Sequence, residues 1–126
     1  MVRKSGSKKK KSQPKPSSPP PRTGHILVSD GAGTVVVAGG YSDKSTGLMD
    51  VWSYRDSSGW ECLYDSALPS RSSSSSAAAA SPLSRSMAAG CLAGGCVYLF
   101  GGMQQEGSQM LVYNDLWQFN LASRQW

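Results

Sequence analysis

The sequence predicts an all-β chain made of two copies of one four-stranded unit, the second copy lacking its last strand, behind a basic N-terminal tail. Three observations carry that expectation. Glycine and serine are abundant and long runs of Leu, Glu and Lys are absent, a composition of strands and turns more than of helices. Short apolar or alternating runs recur between turn residues, as half-buried strands require. A set of landmarks also occurs twice in the same order at a nearly constant spacing, which marks an internal repeat. The boundaries that follow are a tail over 1–21, a first unit over 22–69, a Ser/Ala insertion over 70–81 and a second unit over 82–126.

The tail is Ser, Lys, Pro, Gln and Gly with almost no apolar side chain, so ordering it costs backbone entropy that no burial offsets, and disorder is expected. The net charge of +5 belongs to this segment. Eight basic residues and no acid lie between Met1 and Arg22, whereas the remainder holds five basic residues against eight acids. The body is therefore mildly acidic, and a basic binding face on it is not predicted.

In the first unit, His25-Ile-Leu-Val-Ser is a short apolar run, Asp30-Gly-Ala-Gly a turn, and Thr34-Val-Val-Val-Ala a β-branched run ending in Gly39-Gly40. Two such runs around a glycine turn make a hairpin. After a polar loop, Asp50-Val-Trp-Ser-Tyr alternates, and after Arg55-Asp-Ser-Ser-Gly the segment Trp60-Glu-Cys-Leu-Tyr resumes. These four runs form a meander. Residues 70–81 are Ser and Ala around Arg71, with nothing large enough to pack, and read as a surface insertion.

The second unit repeats the order. Ser84-Arg85-Ser86-Met87 opens an apolar run, Ala93-Gly94-Gly95 turns it, Cys96-Val-Tyr-Leu-Phe ends in Gly101-Gly102, and Asn114-Asp-Leu-Trp-Gln-Phe alternates after a polar loop. Laid together, Arg22 answers Arg85, Gly39-Gly40 answers Gly101-Gly102, Asp50, Trp52 and Tyr54 answer Asp115, Trp117 and Phe119, and Trp60 answers Trp126, at offsets of 63, 62, 65 and 66 residues. His25 is answered by Ala88.

These residues resemble the kelch repeat: an apolar strand ending in a double glycine, a polar loop, an Asn-Asp-Val-Trp-like strand with an aromatic, and a tryptophan six or seven residues on. The resemblance covers residues 20–126. The offset exceeds the kelch period of about 50 residues, and the Ser/Ala stretch supplies most of the excess. It implies a partial β-propeller of about two four-stranded blades, the second stopping at Trp126 where its fourth strand begins. Propellers close with roughly 4–8 blades, so a fragment, or assembly with other copies or with strands from a partner, is implied. The double glycines let the backbone turn where the blades crowd, and the aromatics pack blade on blade, each worth roughly 1.5–3 kcal/mol on burial. Arg22, Arg85, Asp50 and Asp115, being repeated, read as framework.

Function classes narrow by chemistry. A copper or dimetal site, as in those kelch proteins that are oxidases or sit beside a phosphatase domain, needs several histidines or clustered carboxylates, and His25 is the sole histidine. Gly31-Ala-Gly33 and the double glycines precede neither a helix nor a Lys-Ser/Thr pair, so they are turns and not phosphate cradles. Cys62, Cys91 and Cys96 are odd in number and lack CxxC spacing. They read as reduced, mostly buried small hydrophobes of an intracellular protein, cytoplasmic or nuclear. No apolar h-region follows the basic start, and the most apolar stretch, Met87 to Met103, holds five glycines, so neither a secretory signal nor a membrane span is expected.

The sequence thus assigns no catalytic residue, cofactor or metal ligand. It points to a non-catalytic interaction scaffold whose loops, Tyr41 to Met49, Ser70 to Ser81 and Met103 to Tyr113, meet an unidentified protein partner. Two other readings stay open. Lys8, Lys9, Lys10 and Lys11 fit a basic targeting segment of a nuclear or nucleolar protein, giving weak non-specific nucleic-acid or importer contact. Alternatively, the chain is the regulatory kelch portion of a larger enzyme.

Overall fold

The computed structural model describes residues 16–42, 46–66 and 80–126. Lys8 to Lys11 and most of the Ser/Ala insertion lie outside them. The described residues are all-β, with no helix among them and hence none long and apolar enough to cross a membrane. Unit 1 contributes β1 (Arg22–Thr23), β2 (Ile26–Ser29), β3 (Thr34–Ala38), β4 (Tyr41–Ser42), β5 (Asp50–Arg55) and β6 (Gly59–Asp65). Unit 2 contributes β7 (Ala89–Ala93), β8 (Cys96–Phe100), β9 (Met103–Glu106), β10 (Gln109–Val112) and β11 (Leu116–Asn120).

Four of the unit 1 strands form an antiparallel sheet in the order β2-β3-β5-β6, with a register shift at Val51/Trp52. The turn between β2 and β3 is held by the Asp30 carboxylate, which accepts from the Ala32 and Thr34 N–H groups at 2.8 and 2.9 Å. Those backbone donors, Thr34 foremost, hold its carboxyl below the ordinary value. In unit 2 the sheet has three described strands, in the order β11-β8-β7, and Asn120 bridges to Gln125 beyond them. No described sheet closes on itself.

Register decides which residues share a face, because side chains alternate along a strand. Across sheet 1, Ile26, Ala38 and Val51 stand in one row, while Leu27, Val37 and Trp52 stand in a row on the opposite face. In sheet 2, Val97 opposes Phe119 and Leu99 opposes Trp117. The core joins these sets: Ile26, Val36, Ala38, Met49 and Val51 pack against Val97, Leu99 and Phe119. Rings seal the seam, with Tyr64, Phe119 and Trp126 centred 5.1 to 6.2 Å apart.

This packing is directional. Phe119 and Trp117 lie on the inward face of sheet 2, and their counterparts Tyr54 and Trp52 lie on the face of sheet 1 turned away from sheet 2. The two units are therefore stacked head to tail, each strand alternation being kept from one unit to the next.

Three features depart from the sequence reading. The connection from Met103 to Tyr113, expected to be a polar loop, is mostly a hairpin, β9 paired with β10. The connection from Tyr41 to Met49, also expected to be a polar loop, opens as β4, paired with β1. Of the three cysteines only Cys96 is buried, Cys62 being half-buried and Cys91 exposed, because Cys91 points to the open face of sheet 2, beside Tyr98.

Candidate functional site

The repeated landmarks converge at one end of each sheet, where the double glycine ends the second strand. Arg22 grips Asp50 through both terminal nitrogens, Nη1 to Oδ1 at 2.6 Å and Nη2 to Oδ2 at 2.8 Å. The same guanidinium donates to the carbonyls of Gly39 (3.1 Å) and Pro20 (3.2 Å). Trp52 then donates its indole N–H to Asp50 Oδ2 at 2.8 Å.

Unit 2 reproduces the arrangement atom for atom. Arg85 Nη1 and Nη2 meet Asp115 Oδ1 and Oδ2 at 2.5 and 3.1 Å, Nη1 also donates to Gly101 O at 3.1 Å, Nε donates to Leu83 O at 3.0 Å, and Trp117 Nε1 donates to Asp115 Oδ2 at 2.6 Å. The Arg85 hydrogen bond, aided by Trp117 and the guanidinium charge, holds the Asp115 carboxyl below its ordinary value. A planar fork matched to a carboxylate explains why arginine stands at both positions. Unit 2 adds a ring, Tyr113, 4.1 Å from the Arg85 guanidinium.

The double glycines are required by what surrounds them. Gly40 and Gly102 have φ of 99° and 94°, and a Cβ there would lie 2.7 Å from Thr23 O and 2.8 Å from Ser86 O. These clamps also connect the units, since the Gly40 N–H donates to the Arg85 carbonyl at 2.8 Å. Each aspartate accepts from its arginine on both carboxylate oxygens and from its tryptophan on Oδ2.

Above the clamps the two connections differ. In unit 1 the chain runs through β4, which pairs with β1. In unit 2 the β9–β10 hairpin leans back until the Gln105 N–H donates to Tyr41 Oη at 2.6 Å, across the boundary between the units. Between them lies an open cleft of about 540 Å³ lined by Thr23, Tyr41, Ser42, Gln105 and Gly107. Its walls are neutral hydroxyls, an amide and backbone, suited to hydrogen-bonding a polypeptide segment more than to enclosing a small apolar ligand. Met110 and Val112, 54 % and 76 % exposed, sit on the same hairpin.

Sequence reasoning singled out the framework residues, and the structure gathers Arg22, Gly39, Asp50 and Trp52 in one clamp and Arg85, Gly101, Asp115 and Trp117 in the other. Tyr54 and Trp60 pair across sheet 1 with their rings tilted by 56° and centred 5.2 Å apart. Thr23, Tyr41, Gln105 and Gly107 were not foreseen individually, although the loops that carry the last three of them were. Among the described residues no group of three His, Cys, Asp or Glu side chains could hold a metal ion. No protein-family model matches the chain, and no curated protein matches it.

Proposed function

We propose that the chain is a non-catalytic protein-interaction scaffold of kelch repeats, its two units being neighbouring blades of a β-propeller. The observation that carries this reading is the contrast at one end of the molecule. Two Arg–Asp–Trp clamps with the same hydrogen-bond pattern carry two dissimilar connections, and a polar cleft opens between them. A repeated, rigid base under variable loops is how a scaffold separates stability from recognition. The head-to-tail stacking of the sheets, with large rings in the seam, supports the blade reading. The partner is a polypeptide that reaches Tyr41 and the tip of the β9–β10 hairpin.

The test replaces Gln105 to Ser108 by a turn of equal length and opposite chemistry, and separately makes Tyr41→Ala, leaving both clamps intact. Proteins retained by the full chain in its native source should be lost together from both variants. If both variants retain the same proteins as the unaltered chain, the cleft is not the recognition surface.

A further inference from the structure

One wall of the cleft is a strand edge. The two-residue turn Gly107-Ser108 is closed by Glu106 and Gln109, so the pairs along β9 and β10 alternate, and Gln105 falls in a pair whose N–H and C=O point away from β10. Met103, two residues back, points the same way and is satisfied there, exchanging two backbone hydrogen bonds with Ser86 at 2.8 and 2.9 Å. A strand continued antiparallel from Ser86 would place Ser84 opposite Gln105. The chain leaves that line instead: the Arg85 carbonyl accepts from the Gly40 N–H across the seam, and Ser84 lies against Gly47. The position opposite Gln105 is left to a side chain. Its N–H donates to Tyr41 Oη at 2.6 Å, and no described residue donates to its C=O.

We infer that the Tyr41 hydroxyl holds the place of a strand, and that the partner enters the cleft as one. An extended segment pairs antiparallel with β9 at Gln105, its C=O taking the N–H from Tyr41 and its own N–H donating to the Gln105 C=O. This rests on the cleft being the recognition surface, and it names the mode of recognition. A strand added to a free edge draws its affinity from main-chain hydrogen bonds. The Tyr41 hydroxyl meets only one of the two backbone groups that Gln105 turns to the cleft, so the incoming segment gains a bond that Tyr41 does not make. The described lining is uncharged, which suits backbone amides and gives an ionic ligand nothing to pair with. Every group in the slot comes from the boundary between the two units.

The probe is a phage-displayed pool of random heptapeptides selected on the full chain, from which a peptide whose binding is lost with Tyr41→Ala is synthesised. Tyr41→Phe keeps the ring as a wall and removes only the hydroxyl. Without peptide, the Gln105 amide of that variant should exchange about tenfold faster with solvent deuterium. The amides of Gln104 and Leu111, paired inside the hairpin, should keep their rates and so verify the fold. Added peptide should restore protection at Gln105 and bind Tyr41→Phe about 2- to 10-fold tighter than the unaltered chain, since no hydroxyl has to be displaced. N-methylation of the peptide residue opposite Gln105 should abolish binding, whereas N-methylation of either neighbour, whose N–H faces away from β9, should leave most of it. An unchanged Gln105 rate in Tyr41→Phe overturns the inference. A bound peptide under which Gln105 exchanges freely, or one with no decisive N-methyl position, overturns the strand mode and leaves the cleft as the recognition surface. A pool that yields no peptide dependent on Tyr41 overturns both.

Discussion

A buried guanidinium is stable only while its partners remain, and the two clamps differ in how far water can replace them. The side chains of Arg22 and Asp50 are 4 % and 11 % exposed, whereas Arg85 at 1 % faces an Asp115 that is 40 % exposed. Removing the carboxylate from the first pair leaves a cation with little access to solvent, at a cost of about 3–5 kcal/mol. At the second, water enters where the carboxylate was, and the Tyr113 ring still faces the cation, so the loss falls to about 1–3 kcal/mol. Asp50→Ala should therefore lower the urea midpoint more than Asp115→Ala, a ranking that chemical denaturation of the two variants checks. Acid distinguishes them as well. The Asp115 carboxyl is held low by Arg85 in the folded chain, so its contribution is complete above the unfolded value of about 3.9 and disappears as pH falls through the lowered folded value. Partial exposure keeps that contribution small, so Asp115→Asn should be slightly less stable than the unaltered chain at neutral pH, and the difference should vanish as the pH falls through the lowered Asp115 value.

At the scale of elements, the closest approach between the sheets is where β2 meets β7. A Cβ on Gly90 would lie 2.8 Å from Ile26 Cδ1 and 3.2 Å from Tyr98 O. Gly90→Ala should cost about 1–3 kcal/mol by overpacking, although Gly90 has no positive φ that would strain a side chain. Ile26→Val deletes the obstructing Cδ1, so the double variant should be more stable than the sum of the two single losses, a coupling that a double-mutant cycle reads directly. The strands themselves were legible in the sequence because β-branched and aromatic residues alternate in them and glycine turns bound them: Thr34 to Ala38 and Cys96 to Phe100 run as those patterns place them. The β9–β10 hairpin was not, because Met103 to Glu106 shows no alternation, even though Gly107-Ser108 is a two-residue hairpin turn with φ of 60° at the glycine. The clamps were legible as a repeat, since Arg22 and Arg85 recur with Asp50 and Asp115. The cleft was not, because the Tyr41–Gln105 contact spans 64 residues and depends on how one sheet stacks upon the other, which no local pattern encodes.

For the whole molecule, the question is whether the units fold separately or as one body. Sheet 2 has one open face, and its described strands bury apolar side chains chiefly toward sheet 1. A three-stranded sheet with one face in water draws its stability from what the other face covers. Phe119 is the centre of that cover, with no exposed surface, 6.1 Å from Tyr64 of unit 1 and 5.1 Å from Trp126. Truncating it to alanine should cost about 3–5 kcal/mol, a large share of the roughly 5–15 kcal/mol that a small domain possesses. Because the cavity opens in the shared seam, the loss should be felt equally by both units. Hydrogen exchange monitors each: the amides of Val36 in β3 and Leu99 in β8 should lose protection by the same factor in Phe119→Ala, and urea unfolding should remain a single transition. If Val36 kept its protection while Leu99 exchanged freely, sheet 1 would be self-sufficient and the seam would be a docking contact between two independently folded units.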